Sequence, residues 1–266
     1  MDHSEMPFAE AINAMKRNLP IILSSFAETI KDYALPYERI EPIITNLKPL
    51  ISSITTLSKI HRLAESMGEH QFVLTGRIPR PLIEDSASCD LDEKLSEFCM
   101  SDEQVNSTVS KCGLINDAAF QQSIRALYGG LYNLSIIGLV SILDRTLSEK
   151  SGQIKNVNFN TRYKSIVRQI QEKGDLYLDD LEAEDYLLFL TYPEALKLFG
   201  EDSDFTAEEP ILLNRHWIMH GRTTKEYTRL DCVKVLNMIY GTIRLAELGE
   251  QDEMAAQKGI SNIESD

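Results

Sequence analysis

Within Asn214-Arg215-His216-Trp217-Ile218-Met219-His220-Gly221 the chain places one guanidinium and two imidazoles. Together these groups suit cleavage of a phosphodiester. Arginine offers a planar fork of donors to a phosphate and offsets charge that grows in the transition state. Histidine titrates near neutral pH, so it can take or give a proton there. In RNA the 2′-hydroxyl is a built-in nucleophile beside the phosphate, so no metal is needed in principle. On a helix Arg215 and His220 lie about 140° apart. His216 and His220, four apart, share a face. A long arginine can still swing its fork toward that face, while Leu212, Leu213, Trp217 and Ile218 supply apolar contacts.

Spacing alone does not identify a site. Thirteen Arg and five His in 266 residues give about 0.25 such pairs by chance. The plain alternative is a surface helix with ordinary polar residues. His216-x3-His220 also has zinc-ligand spacing. Trp217 stands where a zinc protease carries Glu, and no third ligand stands out among His3, His61 and His70. Neither a metal nor another cofactor is expected.

The elements that must position the segment read as helices, so the expected fold class is all-α, a helical bundle. Apolar residues three and four apart predict helices over 7–19, 21–33 and 39–67, the last divided at Pro49 and stopped at Gly68. Residues 69–90, with Gly76, Pro79 and Pro81, read as a connector. Helices resume at 91–99 and 101–111, with Ser101 as N-cap. The strongest core candidate spans 117–149, with a wide apolar stripe through Leu127, Leu131, Leu134, Ile137, Val140, Ile142 and Leu143. Gly129-Gly130 in its middle implies close packing against a neighbouring helix. Shorter helices follow at 161–172, 179–190 and 193–199. Pro210 fits the first turn of a helix carrying the Arg/His segment to a stop at Gly221. Thr228 and Asp231 form a capping box for the last helix. From 249 to 266 the chain is polar and is expected to be a disordered tail.

Hydrophobic residues at 43% suffice for a core. Met1-Asp2-His3-Ser4-Glu5 carries no basic segment of the kind a signal peptide needs. The most apolar run, Leu131–Leu143, is too short to span a bilayer. Four cysteines without a Cys-x-x-Cys pair read as reduced thiols of a cytoplasmic protein. A net charge of −14 argues against a protein that coats nucleic acid non-specifically. The charge is unevenly spread. Lys150, Lys155, Arg162, Lys164 and Arg168 form one basic island, and Arg215, Arg222, Lys225 and Arg229 another. The stretch 171–209 between them holds thirteen acids against Lys173 and Lys197.

The string from Asn214 to Gly221 resembles the signature of the HEPN (higher eukaryotes and prokaryotes nucleotide-binding) superfamily. Its ribonuclease members carry Arg, four to six residues, then His, with a polar residue after the Arg; His216 fills that place here. A penultimate helix followed by a long apolar one is also similar, as is an earlier long helix with Gly130 and Asp144. The resemblance covers 116–248, which is read as a HEPN-like helical domain after an N-terminal helical region at 1–115. It implies a metal-independent endoribonuclease that acts as a homodimer, with RNA as substrate. Arg215 would bind and polarise the scissile phosphate, and His220 would serve as general acid or base. Asn214 and His216 would orient or contact the phosphate. Asp144 reads equally as a hydrogen-bond partner of the segment or as a surface acid. The resemblance also implies a toxin or phage-defence role, with an antitoxin or regulatory partner. The alternative is a non-catalytic helical module that binds a nucleotide, an RNA or a protein.

Overall fold

Capping residues set the limits of the helices in the computed structural model. It describes residues 59, 62–73, 75, 91–152, parts of 159–168, 183–201, 205–206 and 208–263. The chain divides into two compact units, one of 1–63 and 78–88, the other of 64–77 and 89–266. The helices expected over 7–19 and 21–33, most of 39–67, most of the connector, His3, His61 and Cys89 lie outside the described residues. Among the described residues every regular element is helical and no strand occurs.

In the second unit the helices are α1 Leu91–Met100, α2 Asp102–Lys111, α3 Ala118–Tyr128, α4 Tyr132–Lys150, α5 Ala183–Phe199, α6 Arg215–Met219 and α7 Arg229–Ile263. Residues 64–69 and the described positions of 159–168 are also helical. Ser101 caps α2 through Gln104 N–H, and Asp117 caps α3 through Phe120 N–H at 2.8 Å. The Phe120 bond, with Arg145 beside it, holds the Asp117 carboxyl below its usual range. The expected capping box of α7 forms. Thr228 N–H donates to Asp231 Oδ2 at 2.8 Å, and Asp231 N–H donates back to Thr228 Oγ1 at 3.3 Å.

Several elements differ from the sequence reading, each for a physical reason. The span 117–149 is two helices, not one. Gly130 adopts φ +73°, and the bonds Gly130 N–H to Leu127 O and Leu131 N–H to Ala126 O end α3 in a Schellman turn. The chain then folds back, so α3 packs on α4. The close approach expected at Gly129-Gly130 falls at Gly138, where a Cβ would overlap Ser123 Oγ. Only one face of α4 is buried, through Ile136, Leu139, Val140, Leu143 and Leu147. Leu131, Leu134 and Ile137, expected in the core, are exposed. Residues 183–199 are one helix through Pro193. Burial of Leu188, Tyr192, Ala195, Leu196 and Phe199 outweighs the ~3 kcal/mol that a helix-interior proline costs. The last helix continues to Ile263 through the segment expected to be a tail. Glu, Gln, Ala, Met and Lys there are good helix formers.

Helices α4 and α7 pack together at the centre, with α5, α1 and α2 against α7, and α6 against α4. Val235, Leu236, Met238 and Ile239 of α7 are fully buried. Cys99, Cys112 and Cys232 are free, buried thiols. No helix of the described residues is long and apolar enough to cross a membrane.

Candidate active site around Arg215 and His220

The helix carrying the Arg/His segment is much shorter than the period suggested, Arg215–Met219 instead of a helix from Pro210. Pro210 and Glu209 lie in irregular chain. Glu209 accepts from Thr223 Oγ1, and from Thr224 N–H and Oγ1 at 3.0 Å each. Burial alone would raise its carboxyl, but these donors and Lys225 hold it below its usual range.

Both ends of α6 are closed. Asn214 Oδ1 accepts from His216 N–H at 2.9 Å and Trp217 N–H at 3.3 Å. Its Nδ2 donates to Glu201 O at 2.9 Å. The Asn214 side chain is buried, and its bonds fix the start of the helix. At the other end Gly221 takes φ +61°. Gly221 N–H bonds Ile218 O, and Arg222 N–H bonds Trp217 O. This second Schellman turn leaves His220 as C-cap, outside the helix proper.

The residue before Asn214 is held from far away in sequence. Gln71 Nε2 donates to Leu213 O at 2.7 Å, and Leu213 N–H donates to Gln71 Oε1 at 2.9 Å. Gln71 is fully buried, with φ +60°. That conformation costs a non-glycine residue about 1–2 kcal/mol. Orphaning either buried Leu213 group would cost about 1–3 kcal/mol, so the carboxamide outweighs its strain.

Arg215 Nη2 donates to Asp144 Oδ2 at 2.7 Å. Asp144 projects from α4, and its other oxygen accepts from Arg162 Nη1 at 3.2 Å. One carboxylate thus serves two guanidiniums. The Nε of each arginine is buried and finds no hydrogen-bond partner among the described residues. Arg215 Cζ also lies 5.2 Å from the Phe159 ring centre, and Phe159 meets Phe199 edge-on. The cluster carries one net positive charge and spare donors, which suits a small anion.

The His216 and His220 rings are near-parallel, with centres 6.1 Å apart and planes 11° apart. His220 is exposed, and its ring meets Phe205 edge-on at 5.4 Å. Phe205 also packs on Trp217, and Arg222 sits over its face at 4.4 Å. Arg215 and His220 therefore have separate neighbours, Asp144 and Phe159 for the one and Phe205 for the other. The cavity beside α6 is lined by Leu213, Asn214, Trp217, Lys225 and Tyr227, not by Arg215 or His220.

The structure brings Asp144 to Arg215, His216 to His220, and Asn214 to the start of α6. Sequence reading did not single out Arg162, Phe205 or Gln71. Arg162 was visible only as part of a basic island; Phe205 and Gln71 carried no signal, because their contacts are set by tertiary packing. Among the described residues no group of three or more His, Cys, Asp or Glu could hold a metal ion. No family model matches the chain, and neither a curated protein nor a solved structure matches it.

Proposed function

We propose that this chain is a metal-independent endoribonuclease of HEPN type, acting as a homodimer in a toxin or phage-defence role. The observation that carries the reading is the built form of the Arg/His segment. A five-residue helix, closed at both ends, sets Arg215 against an anchored carboxylate and holds two histidine rings in parallel. In the reaction a histidine base takes the proton from the 2′-oxygen, which bonds to phosphorus. The bond from phosphorus to the 5′-oxygen breaks, and the departing oxygen receives a proton from an acid. Arg215, with Arg162 behind Asp144, offsets the charge on the phosphoryl oxygens. His220 is the acid or base, since it is exposed and can exchange protons with solvent. A second copy would complete the acid–base pair. Exposed Leu134, Ile137 and Met219 beside the segment are a surface that such a dimer would bury.

Cleavage of RNA by wild type, Arg215→Ala and His220→Ala, with a thermal melt of each, tests the reading. His220→Ala should melt within about 2 °C of wild type and cleave about 100-fold more slowly or worse. Wild type that cuts no RNA, or a His220→Ala variant that cuts at the wild-type rate, refutes it.

One observation favours the second reading, a non-catalytic module that binds a nucleotide, an RNA or a protein. Arg215 lies between Asp144 and Phe159 as an ordinary structural ion pair would. On that reading Arg215→Ala loses stability, and His220→Ala alters binding or nothing.

A further inference from the structure

We propose that Gln71 is a positioning residue for the Arg215/His220 site, acting through the backbone of Leu213. It sits 142 positions before Leu213, and both of its side-chain bonds there go to Leu213 backbone groups. A primary amide presents one donor and one acceptor side by side. These match the N–H and C=O of a single residue, so Gln71 pairs with Leu213 as a neighbouring strand would. Leu213 is buried in irregular chain, where no helix supplies partners.

Gln71 is itself fixed. Its N–H bonds Gly68 O at 3.0 Å, and Phe72 N–H bonds Met67 O at 2.7 Å. Val73 O accepts from Asn237 Nδ2 of α7 at 2.9 Å, and Lys234 of α7 lies 4.3 Å above the Phe72 ring. A chain of contacts therefore runs from α7 through 71–73 to Leu213. The next residue, Asn214, caps α6. Gln71 is the one non-glycine residue with positive φ among the described residues. Glycine would hold that turn without strain but would lose both bonds, so the side chain, not the turn, explains the residue type. Shifting Leu213 would shift the cap, and with it the start of the helix that aims Arg215.

The assignment rests on the ribonuclease reading for its catalytic part, so its test has a readout besides cleavage. The variants are Gln71→Leu and Gln71→Glu. A carboxylate at 71 would face the Leu213 carbonyl with no donor, whereas a protonated Glu restores one donor and one acceptor. The full chain is followed by amide hydrogen exchange at Leu213, His216 and Trp217, and by RNA cleavage, at about pH 8 and about pH 5. Wild type at both values is the control for other effects of pH. At the higher pH both variants should lose Leu213 protection at least about tenfold, and kcat should fall about tenfold or more with KM nearly unchanged. At the lower pH Gln71→Glu alone should recover. Wild-type protection in both variants at the higher pH overturns the assignment. So does a changed Leu213 amide with unchanged kcat, or a Gln71→Glu chain unfolded at both pH values. If wild type cuts no RNA while the amides respond as stated, the ribonuclease reading fails and the Gln71–Leu213 clamp stands as a purely structural device.

Discussion

Removing the Asp144 carboxylate would leave Arg162 and Arg215 with no counter-charge between them. The side chains are partly exposed, at 25% for Asp144, 14% for Arg162 and 21% for Arg215. The ~3–5 kcal/mol of a fully buried broken pair must therefore be discounted. Asp144→Asn, which keeps the shape and removes the charge, should cost about 2 kcal/mol in urea unfolding. Inorganic phosphate should then raise the melting temperature of Asp144→Asn more than that of wild type, because the anion replaces the carboxylate. A variant as stable as wild type, or equal phosphate responses, would remove the anion-cluster argument. At this scale the sequence was partly legible. Arg215, His216 and His220 stand together in the chain, and Asp144 was visible as an acid on a long helix. Arg162 reaches Asp144 from a separate helical stretch, and no local rule connects the two.

Helix limits depend on single residues whose effect is only seen in three dimensions. Periodicity locates α1, α2 and the start of α7 well, because their apolar faces and caps are local. It runs α3 and α4 together, since a left-handed Gly130 looks in sequence like any tolerated helix glycine. It overextends α6 back to Pro210, because a proline suits a first turn and a bend equally. It misses α5 as one element, because the burial that carries it past Pro193 comes from α7. The α5–α7 contact can be tested at Gly241. A Cβ there would stand 2.7 Å from Tyr192 Cδ2 and 3.1 Å from Leu188 Cδ1. The Tyr192 ring cannot swing away freely, since its hydroxyl bonds Thr242 Oγ1 at 2.7 Å. Overpacking costs about 1–3 kcal/mol, and alanine returns about 1 kcal/mol of helix propensity. Gly241→Ala should thus lose about 1–2 kcal/mol net. In a Tyr192→Ala background the closest clash is gone and only the Leu188 Cδ1 contact at 3.1 Å remains, so the same change should cost less or stabilise. Equal effects in both backgrounds would mean that the helices do not approach through Gly241.

Across the second unit, three thiols report on the core as a whole. Cys99 lies in α1, Cys112 follows α2, and Cys232 lies in α7. Burial pushes Cys99 and Cys112 up to about 12 and Cys232 to about 11, from the ordinary thiol value of 9.0. Below about pH 9 both folded and unfolded chains keep these protons, so stability is unaffected. Above it the unfolded chain gives them up and the folded chain does not. The unfolded state then binds fewer protons, and stability falls as pH rises toward 11–12. Each thiol contributes a slope approaching about 1.4 kcal/mol per pH unit. The net charge of −14 works in the same direction, because lysines that lose their protons there deepen the repulsion. Urea unfolding at intervals from about pH 8 to pH 10.5 separates the two effects. Cys112→Ala should begin slightly less stable, from the small void it leaves, and then decline less steeply by about 1 kcal/mol per pH unit. The same variant in an exposed lysine would not change that slope in the same sense. Parallel wild-type and Cys112→Ala curves would show that Cys112 is open to solvent, and that α2 does not seal the core against α7.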